Sequence, residues 1–169
     1  MDMEQDAGRQ HYKQVIYDII GAAMEVHRTL GWGLLEPVYQ EALYLELQSK
    51  GIDCQREQEI EIRYKQYVLD KKYRADLIVG DVIVELKSVW QILGEHRAQL
   101  CNYLRLTKKP YGVLINFGER SLAGERWQYD PLTNECTLVN KDMEPVISDD
   151  YRFERYDIQT NKTKEEINE

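Results

Sequence analysis

The stretch RADLIVGDVIVELKSV, residues 74–89, decides how this chain folds. Its first half is an apolar run that ends at Gly80-Asp81, a pair suited to a tight reversal. Its second half, VIVELKSV, is apolar on both sides, with Ile83 on one face and Val82 and Val84 on the other. Two-sided apolarity marks a strand in the interior of a sheet. Folding the halves antiparallel about residues 80 and 81 brings Asp76 near Glu85, because each stands four or five residues from the turn. Glu85 and Lys87 are two apart and point to the same face. Two carboxylates and one ammonium then converge on a central sheet.

Charged groups buried together are costly unless they are paired or hold a metal. One reading is therefore a cross-strand salt bridge from Asp76 or Glu85 to Lys87, a common surface arrangement. The other is a metal site. Two carboxylates suit Mg²⁺ or Mn²⁺, which prefer oxygen ligands. Such an ion lowers the pKa of a bound water and neutralises charge on a phosphate, and a nearby lysine can orient the water.

Working outward, residues 12–30 carry apolar side chains at helical spacing: Val15, Ile16, Ile19, Ile20, Ala23, Val26 and Leu30. Gly31 and Gly33 stop that helix. A second helix is expected from about Glu36 to Lys50, with Pro37 near its start and Gly51 at its end. After Gly51 the period changes. Ile60, Ile62 and Tyr64 alternate with Glu59, Glu61 and Arg63, which predicts a half-exposed strand. Lys65-Gln66 turns it into a second strand over residues 67–79. Beyond residue 89, helical spacing returns over 92–107, YGVLINF at 111–117 predicts a buried strand, and 125–139 predicts one or two edge strands. The order is helix, helix, three-stranded meander, helix, strand: an α/β chain with a central mixed sheet flanked by helices. The helix over 92–107 makes a crossover, right-handed if the strands it joins are parallel.

The 169 residues suit one domain. We expect a polar tail over 1–11, a folded unit over 12–140 and an acidic tail over 141–169. No apolar run approaches the roughly 20 residues that span a bilayer, and the polar N-terminus does not resemble a secretory signal. Cys54, Cys101 and Cys136 lie far apart with no CxxC pair, which suggests neither a zinc site nor a disulfide framework and fits a cytoplasmic setting. The net charge of −8 speaks against a general nucleic-acid binder. Most of it lies in the termini, however: −3 in residues 1–6 and −4 in 141–169, leaving −1 in between.

Asp76 followed by Glu85-Leu86-Lys87 resembles the D…(D/E)xK signature of the PD-(D/E)XK nuclease superfamily, with Ala75 where a proline is usual. Gly33-Leu34-Leu35-Glu36-Pro37-Val38-Tyr39 is similar to the G-x-x-E-x-x-Y motif of the bacterial GxxExxY family. Gln99-Leu100-Cys101-Asn102-Tyr103 resembles the Q-x-x-x-Y helix motif of RecB-like nucleases. Each motif alone is weak, but their order along residues 12–120 is specific for a restriction-endonuclease-like core.

The resemblance implies Asp76 and Glu85 as principal ligands of Mg²⁺ or Mn²⁺, with the Leu86 carbonyl assisting and Glu36 as a further metal or water ligand. It implies that Lys87 positions the attacking water. Gln99, Tyr103, Tyr39 and His96 would support the site or touch the nucleic acid. Against these stand plainer readings. Glu36 suits a helix N-terminus, Tyr39 and Tyr103 suit a core, and Gln99 and His96 suit a helix surface. Two basic clusters, one of Arg97, Arg105, Lys108 and Lys109 and one of Lys71, Lys72 and Arg74, would track a phosphate backbone or simply face solvent. The implied function is a metal-dependent nuclease cleaving DNA. The alternative is a non-catalytic module that keeps the fold and binds nucleic acid or protein, alone or as a homodimer.

Overall fold

A computed structural model describes residues 2–146, together with two short strands beyond them. The acidic tail expected over 141–169 therefore lies mostly outside the described residues. Helix α1 spans Met3–Leu30 and α2 spans Glu36–Ser49. Strand β1 (Gln55–Ile60) is followed by a small ribbon, β2 (Arg63–Tyr64) and β3 (Tyr67–Val68). Strands β4 (Tyr73–Val79) and β5 (Val82–Lys87) precede α3 (Gly94–Thr107). Then come β6 (Tyr111–Asn116), β7 (Ala123–Asp130), β8 (Glu135–Val139), β9 (Arg155–Asp157) and β10 (Lys162–Thr163). No helix among the described residues is long and apolar enough to cross a membrane.

The main sheet runs β1-β4-β5-β6-β7-β8-β9-β10. Only β5 and β6 pair in parallel, joined by the α3 crossover, so the sheet is mixed as expected. The two faces carry separate cores. On one, α1 and α2 supply Ile16, Ile19, Tyr39, Leu43 and Leu47 against Leu77, Val82, Val84, Leu86, Val113 and Ile115. On the other, α3 supplies Leu100 and Leu104 against Ile78, Ile83, Leu114 and Trp127. The alternation expected in VIVELKSV is thus realised, with Ile83 in one core and Val82 and Val84 in the other.

Three expectations change. The helix expected from residue 12 begins at Met3, so most of the supposed polar tail is helical. Its outer turns hold few apolar contacts, but Arg9 donates to the Asp142 carbonyl at 2.9 Å and Lys13 reaches the Asp142 carboxylate at 2.8 Å. The long strand expected over 67–79 is split, because 63–68 close on themselves as an exposed ribbon whose turn begins at Lys65 with a left-handed φ of 53°. The strands expected at the edge are interior: β9 pairs outside β8, and Trp127 and Cys136 are fully buried.

After β6 the chain passes directly beneath the segment that follows β5. A Cβ added at Gly118 would lie 2.2 Å from the Val89 carbonyl oxygen and 2.3 Å from its nitrogen. These are backbone atoms and cannot swing aside. We expect Gly118→Ala to destabilise by about 1–3 kcal/mol or more. Gly21→Ala, in the middle of α1 with nothing within 4 Å of the new methyl, should instead stabilise by about 0.5–1 kcal/mol. Denaturant unfolding of both variants checks the contrast.

Candidate metal-dependent site

The site forms where β4 and β5 stop pairing with each other. In the β4–β5 hairpin the last regular pair at this end is Leu77↔Val84, and the next positions along are Asp76 and Glu85. Here the strands exchange side chains in place of ladder bonds. The Asp76 backbone N–H donates to Glu85 Oε1 at 3.1 Å, and the Leu86 N–H donates to Asp76 Oδ2 at 2.8 Å. On the other edge of β4 the register also skips Asp76, opposite Glu57, whose φ of 48° kinks β1. Backbone amides left without carbonyl partners are thereby satisfied by carboxylates.

Helix α2 closes the site from one layer. Gln40 is buried, and its Nε2 donates to Asp76 Oδ1 at 3.2 Å. Glu36, one helical turn earlier, stands on the same helix face. Its carboxyl is raised by burial and by the negative charge of Asp76, against the opposing pull of Lys87. Helix α3 closes the site from the other layer. Gln99 Nε2 donates to Tyr103 Oη at 3.0 Å. The Tyr103 hydroxyl is raised chiefly by burial, then by Glu85 and Asp76, against the lowering bond from Gln99.

Burial dominates the electrostatics. Glu85 is only 2% exposed, and desolvation, reinforced by Asp76, pushes its carboxyl well above the ordinary carboxylate range. Asp76 is also raised by burial, but bonds from Leu86, Glu85 and Gln40 and the charge of Lys87 pull it back. Neither carboxylate forms an ion pair among the described residues, so the simple salt bridge to Lys87 is not made. Lys87 nevertheless acts electrostatically on Glu36, Asp76, Glu85 and His96.

The donor chemistry suits a hard divalent cation: carboxylate oxygens that form no ion pair among the described residues. Among the described residues no group of three or more His, Cys, Asp or Glu side chains is gathered closely enough to enclose an ion. The protein side of a metal site here would thus rest on two carboxylates, with Glu36 nearby.

Other candidates occupy different places. Tyr39 is fully buried and stacks on Phe117, with ring centroids 4.4 Å apart. Its hydroxyl donates to the Gly31 carbonyl at 2.8 Å and accepts from the Leu34 N–H at 3.0 Å. It holds the 31–35 loop in place. His96 Nδ1 accepts from the Leu93 N–H at 2.9 Å, capping α3. Burial, then Lys87 and Arg97, hold its imidazole below the ordinary value, outweighing Glu95, so the contact with Glu95 is not a charge pair at neutral pH.

Several of the basic residues are engaged with partners of their own. Arg97 is buried in a two-pronged contact with Glu125, whose carboxylate also accepts from Trp127. Lys109 contacts Gly80 and Asp81, at the opposite end of the hairpin. Lys72 and Arg74 both pair with Glu59. Sequence reasoning missed Gln40 altogether. Its spacing of four from Glu36 was the available signal.

The model of the PD-(D/E)XK nuclease superfamily matches residues 13–127, most of the chain. No curated protein matches the sequence. The chain is similar to SSO0001, a protein of known crystal structure, at 24% identity and a TM-score of 0.46. The match covers 58% of this chain and 52% of that one, so the chain spans about half the length of that protein. A likeness of that degree carries no argument about function.

Two outcomes follow from the geometry. Folding raises the carboxyls of Asp76 and Glu85, so above the ordinary Glu value of 4.5 the folded state binds more protons than the unfolded. Stability without metal should then fall as pH rises through the window between that value and the raised one, and Glu85→Gln should flatten the slope. Urea unfolding in a chelator across a pH series measures both; superimposable slopes would contradict the assignment. Tyr39→Phe leaves the Gly31 carbonyl and the Leu34 N–H without their partner, and should lower stability by about 1–2 kcal/mol in the same assay.

Proposed function

Because the chain belongs to the PD-(D/E)XK nuclease superfamily, we propose that it is a metal-dependent nuclease that hydrolyses DNA phosphodiester bonds. The observation that carries this reading is the Asp76–Glu85 pair. The buried Glu85 and the half-buried Asp76 meet where β4 and β5 stop pairing, and neither forms an ion pair among the described residues. Structural ion pairs would have placed a lysine or arginine there; a site awaiting a divalent cation would not.

In this reading Asp76 and Glu85 would hold Mg²⁺ or Mn²⁺, assisted by the Leu86 carbonyl and by Glu36; when bound, such an ion would supply a water of lowered pKa and offset charge on the phosphate. Lys87 orients the attacking water and stabilises the charge that develops on the phosphoryl oxygens. Gln40 fixes the Asp76 carboxylate, and the Gln99–Tyr103 pair lines the opposite wall. His96, neutral and near Lys87, offers its Nε2 N–H to a phosphate oxygen. Tyr39 acts through the loop that presents Glu36.

A second reading is favoured by one observation, the lack of a third gathered ligand among the described residues. A module that keeps the fold and binds nucleic acid or protein without turnover would need no more than this.

Cleavage of single- and double-stranded DNA with Mg²⁺ or Mn²⁺ separates the two. We expect Lys87→Ala to lose at least about 100-fold in rate; equal rates in both proteins would rule out the nuclease assignment. Calorimetry supplies the other half. Asp76→Asn keeps an acceptor for the Leu86 N–H but should lose Mn²⁺ binding. Binding of Mn²⁺ by the wild type without cleavage would favour the module.

A further inference from the structure

Two of the three tryptophans are on the surface, and they stand together. Trp32 is 45% exposed and Trp90 82%, with ring centroids 6.0 Å apart in an edge-to-face arrangement, while Trp127 is fully buried. Leu35 and Leu93, at 77% and 48% exposure, lie in the same two loops. Exposed aromatic surface of this kind marks a binding surface more often than an isolated leucine does.

Both loops lead straight into the candidate site. Trp32 lies four residues before Glu36, and Trp90 three residues after Lys87. The loops are also held to one another and to the sheet. Ser88 Oγ donates to the Leu34 carbonyl, and the Gly33 N–H donates to the Phe117 carbonyl at 3.0 Å. Asn116, fully buried, accepts from the Val89 N–H at 3.0 Å and donates to the Val89 carbonyl at 2.8 Å. Gly118 packs beneath Val89 where no side chain fits. The indoles thus stand on a framework fixed relative to Glu36 and Lys87.

We propose that Trp32 and Trp90 form a stacking platform for unpaired bases, which makes single-stranded nucleic acid the substrate class of this site. The proposal rests on the nuclease reading for the site itself and adds what binds beside it. A base exposes its π-face only outside a duplex, and stacking on aromatic side chains is tolerant of sequence. It also answers the charge problem. A chain of net charge −8, whose Arg97, Lys72 and Arg74 are already engaged with acids, gains little from phosphate contacts. Stacking supplies affinity that salt does not screen.

The test measures binding in a chelator, where no cleavage can occur. Wild type, Trp32→Ala, Trp90→Ala and Trp90→Phe are titrated with a thymidine homopolymer and with a hairpin duplex, at low and high salt, by anisotropy of a labelled oligonucleotide. We expect wild type to prefer the single strand with a shallow salt slope. Each alanine variant should lose about tenfold in single-strand affinity, Trp90→Phe should retain most of it, and melting temperatures should stay unchanged. Alanine variants that bind the single strand as tightly as wild type would overturn the proposal. So would sedimentation showing a wild-type dimer that Trp90→Ala dissolves with single-strand affinity unaltered, which would make the patch a contact between copies. Binding without cleavage in Mg²⁺ or Mn²⁺ would count against the nuclease reading alone, whereas cleavage indifferent to both tryptophans would count against the platform alone.

Discussion

Everything at the centre of this molecule depends on a break in hydrogen bonding between two strands. Beyond Leu77↔Val84 the ladder bonds of the hairpin give way to the Asp76 and Glu85 carboxylates, each accepting a backbone N–H from the opposite strand. That exchange interrupts the ladder between β4 and β5 while β5 stays paired with β6. It also fixes both carboxylates with no ion pair among the described residues, in surroundings that disfavour their charge. The backbone amides at the site are satisfied by the carboxyls, while burial disfavours the charge on both of them.

The flanking elements serve that break. Helix α2 is entered through a loop that Tyr39 ties to Gly31 and Leu34, and the helix then presents Glu36 and Gln40 one turn apart. The G-x-x-E-x-x-Y pattern so acquires a division of labour. The glycine allows the turn at a φ of 82°, the glutamate faces the site, and the tyrosine anchors the loop in the core. Helix α3 reaches the same place through Gln99 and Tyr103, four residues apart on one face. Its Arg97 is committed to Glu125 and holds the helix to the sheet.

The electrostatic picture explains how an acidic chain can still suit a nucleic acid. Among the described residues, Lys87 is the positive group named as acting on both Asp76 and Glu85. In the proposed reading, recognition draws on the exposed indoles beside Glu36 and Lys87 rather than on a basic face.

Much of this was legible in the linear sequence. Periodicity gave away both helical faces and the two-sided strand at 82–87, because a 3.6-residue and a 2-residue repeat cannot be confused over such lengths. The Gly80-Asp81 turn set the register that brings residue 76 opposite residue 85, and the spacing of two put Lys87 beside Glu85. Only the tertiary structure decided the rest. That α1 starts at Met3 follows from Arg9 and Lys13 meeting Asp142, about 130 residues away in sequence, which no local pattern encodes. That Arg97 is buried, Tyr39 is structural, Gln40 holds Asp76 and Trp32 meets Trp90 depends on which elements stack on which face. Local sequence determines how a segment folds, but a side chain's partner is set by packing between segments distant in the chain.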